Sequence, residues 1–292
     1  MIGDPSTDRS EVPDGGALVL DFDYHIHTIY SGHSGAEMFV PAVMARCAEK
    51  GLRRAMIVEH APAMMSETFT STIEWLAGRE DRTATEAILA EVRMRRAAVP
   101  DVEFLVGAEI DADPERMDGS LMMRDLAGLD AVMASTHLMP GGEGFWFSPP
   151  EVPEGERPEL RERWLAWMEN VAANPDVDII AHPFAELHNC GLSGDFGPAF
   201  RESCRALLTV MAAGGTAFEL NETALRRFSE EVLAGYREVV RLARECGVRF
   251  TAGSDAHRGW QQGDYRLVPE LAAHAGLTPP DFWHPQPGAS RA

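Results

Sequence analysis

Lysine is all but missing from this chain. Lys50 is the single one in 292 residues, and arginine supplies the other positive charges. The two basic types together number 26 against 46 acidic residues, a formal net charge of -20. A surface this negative repels phosphate backbones and favours cations, so long nucleic acid is disfavoured as a partner. Cysteine is sparse as well. Cys47, Cys190, Cys204 and Cys246 are scattered and form no CxxC pair. They are expected to be reduced thiols rather than a disulfide framework. No apolar run reaches membrane-spanning length, and the opening MIGDPSTDRSEVPDGG has no apolar stretch of the kind a signal peptide needs. No membrane partner and a cytoplasmic location are expected. Nothing in the sequence reads out an oligomeric state.

What is present suits a sizeable core, since 45% of the residues are apolar. The length fits one large α/β barrel or two small domains. Residues 1–16 are rich in Asp, Ser, Gly and Pro and are expected to form a disordered tail, with 17–292 as a single barrel domain. Short, largely apolar runs predict buried strands over 17–24, 53–58, 104–108, 131–135, 177–181, 216–220 and 248–252. Helical patterns fall between them, near 36–50, 83–98, 159–173, 197–213 and 230–246. This alternation predicts a parallel sheet or barrel of seven strands, with an eighth not evident. Two connections are long. Residues 61–82 suit a lid or a wandering loop, and 138–158 carry Phe145, Trp146 and Phe147, which could cover a site or pack the loop down. The Pro-rich stretch after Trp260 is expected to wrap the outside.

The ten histidines carry most of the functional signal. His25 and His27 form an HxH at the end of the first predicted strand, where residues i and i+2 share a side. His33 follows. His60 ends the second strand, Glu109 the third, His137 the fourth and His182 the fifth, and Asp255 and His257 follow the seventh. In parallel α/β folds the carboxyl ends of the strands converge on one rim. One such histidine would be an ordinary core or surface residue. A ligand-type residue at six strand ends predicts a metal centre, and imidazole with carboxylate suits zinc, iron or manganese. His188, His274 and His284 lie off the strand ends and are expected at the surface, His188 being the nearest of them to the rim.

The motifs DYHIHT, His33, VEH, GAEID, STH, AHP, ELN and GSDAH, in this order from residue 21 to 258, resemble the PHP (polymerase and histidinol phosphatase) family. The resemblance implies a distorted TIM-like (β/α)7 barrel with two or three divalent ions. Carried over residue by residue, it implies one ion site from His25, His27, Glu109 and Asp255. A second would use Glu109, His137 and His182, with Glu109 bridging, and a third His33, His60 and His257. Glu59 stands where the family usually has Asp, and would orient an imidazole rather than bind an ion.

The implied chemistry is hydrolysis of a phosphate monoester of a small phosphorylated metabolite by a metal-bridging hydroxide, with Glu109, Asp255 and His257 nearest the reacting group. Arg226, Arg227 and Arg258 are candidates for the outer phosphate oxygens. For Arg226 and Arg227 an exposed helix start is an equal reading. Glu219 and Asn221 share a side of their strand and could support ligands or touch substrate. No general acid stands out, although Asp255 would serve. Among competing readings, a binuclear amidohydrolase typically bridges its metals with a carbamylated lysine, and the only lysine here ends a helical pattern. A metal-dependent deoxyribonuclease would leave His33 and His60 without a role. A phosphodiesterase or exonuclease acting on nucleotides or short oligonucleotides remains the alternative within the family. A non-catalytic metal-binding module sits poorly with so complete a ligand set.

Overall fold

Strand after strand in this chain is buried along its whole length, so both faces of the sheet must be covered. The computed structural model describes residues 18–60, 83–123, 125–140 and 151–285. The expected tail, the connection 61–82, and Phe145, Trp146 and Phe147 lie outside the described residues.

The chain runs β1 (Phe22–Ile26), α1 (Val40–Glu49), β2 (Arg54–His60), α2 (Thr83–Arg95), β3 (Glu103–Asp111), β4 (Ala131–Ser135), α3 (Arg157–Ala172) and β5 (Ile179–Ile180). It continues through α4 (Ala185–Asn189), α5 (Pro198–Gly214), β6 (Ala217–Asn221), α6 (Glu222–Leu225), α7 (Glu230–Glu245), β7 (Phe250–Gly253) and α8 (Leu267–His274). The seven strands are parallel and pair in sequence order. Ile26 bridges Ala256, with His27 N donating to Ala256 O and Ala256 N to His25 O, which nearly closes the barrel at the carboxyl rim. The seven-strand expectation therefore holds, with shifted ends. β3 runs three residues past the expected end and carries Glu109 inside the strand, whereas β5 shrinks to two residues. Backbone pairing set these limits, because the β3 ladder continues to Asp111 opposite Ser135 while β5 pairs only through Ile179 and Ile180.

Local chemistry explains the helices. α1, α3 and α5 have proline in the first turn, where a missing N–H costs nothing. The Ser229 hydroxyl accepts from Val232 N to cap α7, with Glu230 and Glu231 in the first turn against the positive helix end. Its buried face, Val232, Leu233, Tyr236, Val239, Val240 and Ala243, recurs at three and four residues and packs on the sheet. Gly215 ends α5 in the left-handed conformation at φ 78°.

The Pro-rich end does more than wrap the outside. Phe282 bridges Phe250, Trp283 N donates to Phe250 O at 2.6 Å, and Tyr24 hydrogen-bonds His284 at 2.8 Å. This strap lies between the amino ends of β1 and β7, the place an eighth strand would take. Among the described residues no helix is long and apolar enough to cross a membrane.

Candidate metal centre

Alternation along β1 sends Asp23 and His25 to one side of the strand and Phe22, Tyr24 and Ile26 to the other, and His27 continues the polar side. The parallel register then sets His60 beside Glu109 on the neighbouring strands. His137 and His182 follow the short β4 and β5, and Asp255 and His257 follow β7. Asp23 fastens the ends of the barrel together, because its carboxylate accepts from the backbone of His25, Ser254 and Gly263.

Glu109 stands at the centre. Its Oε1 is 2.9 Å from His182 Nε2 and 3.2 Å from His137 Nε2. Its Oε2 is 2.9 Å from His60 Nδ1, 3.4 Å from His25 Nε2 and 3.5 Å from His27 Nε2. Asp255 Oδ1 faces His27 at 3.5 Å and His25 at 3.7 Å. The ring of His257 lies 4.2 Å from that of His27 and 4.3 Å from that of His33, centroid to centroid. All nine residues singled out in the sequence meet, but as one contiguous cluster. His27 stacks on His60 at 4.4 Å, and His60 also neighbours Glu109 and His137, so the sets implied by the resemblance share members.

The backbone is bent to achieve this. Asp255 and His182 have φ of 53° and 28°, a region that side-chain-bearing residues seldom adopt and that functional sites tolerate. Gly253 makes room, since a Cβ there would collide with the Glu219 carboxylate and His25 Cβ.

A second layer orients the rings. His25 Nδ1 lies 2.7 Å from Glu219 Oε1, and its Nε2 faces Glu109, Asp255 and His27 Nε2; with the proton held at Nδ1 by Glu219, the Nε2 lone pair would be available to a cation. Glu219 also accepts from His182 N and from the Asn221 amide. Glu59 accepts from Thr28 N and Oγ1 and stands 3.8 Å from His27 Nδ1. Two residues escaped sequence reasoning. Asp111 accepts from His137 N and lies 3.2 Å from its Nδ1, and Glu186 Oε1 lies 2.6 Å from His182 Nδ1. Asp111 was within reach of inspection, being two residues after Glu109 on one strand. Glu186 had no such signal, because the turn into α4 delivers it.

This donor set fits divalent cations. Lone-pair-bearing nitrogens and carboxylate oxygens converge where hydrogen bonds are few. The buried Glu109 Oε2 and His257 Nε2 have no hydrogen-bond partner, an arrangement that is costly unless a cation takes the place. Burial works to raise the Glu109 carboxyl, but the imidazoles of His60, His137 and His25 outweigh it and hold the group well below the usual carboxylate range. Asp255 is held low in the same way by His25, His27 and His257 against its burial. Burial pushes His60 down to about 3 and His257 down to about 2, whereas the neighbouring carboxylates raise His25, His137 and His182 above the free imidazole against their burial; a bound cation would need all these rings neutral, so its uptake would release protons.

A cavity of about 460 Å³ opens over the cluster, lined by His33, His137, Thr223, Arg227, Arg258 and Gln261 among others. Arg227 and Arg258 thus stand where the sequence placed candidate phosphate binders. Arg226 does not. Its guanidinium donates to Glu222 and Asp264 and lies 5.9 Å from the Trp260 ring centroid. The two arginines are adjacent at the end of a helical turn and project apart. Asn221 caps α6 through its side-chain oxygen. His188 packs on Phe228 and hydrogen-bonds Ser193, His274 faces Glu238, and all three off-rim histidines lie outside the cluster.

The PHP domain model matches residues 23–223. A probable phosphatase of Thermoanaerobacter sp. (strain X514) is 26% identical over 264 residues, 89% of either chain. A probable phosphatase of Caldanaerobacter subterraneus subsp. tengcongensis is 28% identical over 246 residues, 82% of this chain and 77% of its own. Among solved structures, the histidinol phosphate phosphatase of Lactococcus lactis, complexed with zinc, L-histidinol and phosphate, superposes with a TM-score of 0.59 at 18% identity over 88% of this chain and 94% of its own. A putative histidinol phosphatase of Listeria monocytogenes gives the same score and identity over 83% and 97%.

Proposed function

The chain belongs to the PHP domain family, and from that premise we propose that it is a metal-dependent phosphatase of small phosphorylated metabolites, with histidinol-phosphatase-like action. The observation that carries this reading is Glu109, whose two oxygens face two sets of imidazoles at 2.9–3.5 Å, the arrangement of a bridging carboxylate. His25, His27, His33, His60, Glu109, His137, His182, Asp255 and His257 would hold two or three ions, zinc, iron or manganese. Such ions supply positive charge that acidifies water and offsets charge on a transferring phosphoryl group.

The chain's own residues do the rest. Arg227 and Arg258 at the cavity wall bind the outer phosphate oxygens through charge-assisted hydrogen bonds. Asp255, held ionised, would accept a hydrogen bond from the attacking water and orient it; as the new P–O bond forms and the ester P–O bond breaks, the proton lost by the water passes to solvent and the leaving alkoxide takes one up from solvent. Glu219 and Glu59 keep His25 and His27 in place. A cavity of this size takes a metabolite or a mononucleotide, and the acidic surface disfavours long polymers.

The test assays histidinol phosphate, mononucleotides and a short single-stranded oligonucleotide side by side, with and without chelator. Monoester hydrolysis is expected to be abolished by chelation and lowered at least ~100-fold in His27→Ala and Asp255→Asn with the fold intact by circular dichroism. Full activity in both variants would sink the mechanism. Turnover of the oligonucleotide alone would move the chain to the diesterase reading.

A further inference from the structure

The turn that follows β7 carries two glutamines with different tasks. Gln262 is fully buried. Its Nε2 donates to Val43 O at 2.7 Å and to Cys47 Sγ at 2.9 Å, and its Oε1 accepts from Arg46 Nε at 3.3 Å. Gly263 N donates to Asp23 Oδ2 at 3.0 Å. These contacts pin the turn to α1 and β1. Gln261 lines the cavity over the ligand cluster instead.

Three atoms of Gln261 are held. Its N donates to Arg258 O at 3.0 Å, its O accepts from Asp264 N at 2.9 Å, and its side-chain Oε1 accepts from His257 N at 2.9 Å. The last contact fixes which end of the amide is which, because a backbone N–H needs an acceptor. The amide nitrogen, with two hydrogens, is the end left over. Among the described residues nothing accepts from it. The amide plane is rigid, so Nε2 stays beside His257, a member of the cluster.

Donors are few on this wall. Among the described residues, Thr223, Arg227, Arg258 and Gln261 are the cavity residues outside the nine candidate ligands. The Thr223 hydroxyl donates to Ser254 O at 2.8 Å and so has no proton to offer a ligand. Beside the two guanidiniums, the Gln261 amide is therefore the remaining donor. A neutral donor suits the place. It offers a hydrogen bond to a phosphate oxygen without adding a positive charge next to seated cations.

Resting on the phosphatase reading above, we propose that Gln261 is a substrate-binding residue, whose Nε2 donates to a non-bridging oxygen of the substrate phosphate while its Oε1 stays on His257 N. Backbone and amide are both fixed before substrate arrives, so the contact requires no reordering of the side chain.

The metal-loaded chain is titrated with inorganic phosphate by calorimetry, and the ions per chain are counted by elemental analysis. Gln261→Glu keeps an acceptor for His257 N and loses the donor. Gln261→Met loses both without adding charge. Trp260→Glu, one residue away on the same turn and 62% exposed, adds the charge and leaves Gln261 alone. Phosphate is expected to bind about 10–100-fold more weakly in Gln261→Glu and Gln261→Met, with the parent ion count. In Trp260→Glu it should weaken by less than about fivefold. Parent-like affinity in either Gln261 variant, an equal loss in Trp260→Glu, or loss of ions in Gln261→Glu overturns the proposal and leaves the phosphatase reading intact. The expected pattern in a chain that hydrolyses no monoester would uphold the contact and sink that reading. A chain that binds no phosphate with its ions in place overturns both.

Discussion

Glu219 and Gly253 illustrate how little space the centre has. Glu219 is fully buried and meets both His25 Nδ1 and His182 N, and it can do so because residue 253 on the adjoining strand has no side chain. Gly253→Ala must push the carboxylate or the His25 backbone aside. We expect a loss of about 1–3 kcal/mol in thermal unfolding together with fewer bound ions by elemental analysis. The adjacent arginines separate by role. Arg227→Ala should raise KM about 10–100-fold at unchanged stability, since it removes a charge-assisted contact to the substrate phosphate. Arg226→Ala should leave KM alone and cost on the order of 1 kcal/mol of stability, because Arg226 serves Glu222 and Asp264. Equal effects on KM would return Arg226 to the binding site. The motifs of the sequence made both arginines candidates, and only the direction each side chain takes from the short turn told them apart.

Helices hold the rim in place through their ends as much as their faces. The buried Glu222 carboxylate accepts from Arg266, Leu267 and Val268 N, so α6 and the start of α8 are tied by one side chain close to Thr223 of the cavity. α7 is long and strongly one-sided, and its limits were legible because a capping serine, two acidic residues and a 3.6-residue apolar rhythm agree. Ser229→Ala should therefore cost about 1 kcal/mol, seen as a melting point lower by about 2–4 °C with ion content unaffected. β5 was less legible. The expected strand covers five residues, 177–181, with Asp178 among them, but only Ile179 and Ile180 find ladder partners, and pairing is decided by the neighbouring strands rather than by the stretch itself.

Across the molecule, closure is uneven. The carboxyl rim closes through β1 and the segment after β7, directly beneath the ligand cluster, while the amino end is filled by Phe282, Trp283 and His284. Phe282 is buried against Phe22 at 5.6 Å between centroids, so Phe282→Ala should lower stability by about 3–5 kcal/mol. Ion content should be unchanged, because the strap and the centre lie at opposite ends of the strands. A parallel loss of ions on mild substitution there would show the two ends to be coupled. The sequence by itself determined the alternation of strand and helix and the strand count, because apolar runs are local properties that survive in one dimension, while its family resemblance supplied the barrel class and the set of nine candidate ligands. Only the tertiary structure decided that Glu109 stands at the centre, that Asp111 and Glu186 back the rings, that Arg226 turns away and that the chain's end fills the gap between β1 and β7. Those outcomes depend on distances between segments far apart in the chain, and these are set by strand register and by packing across the barrel.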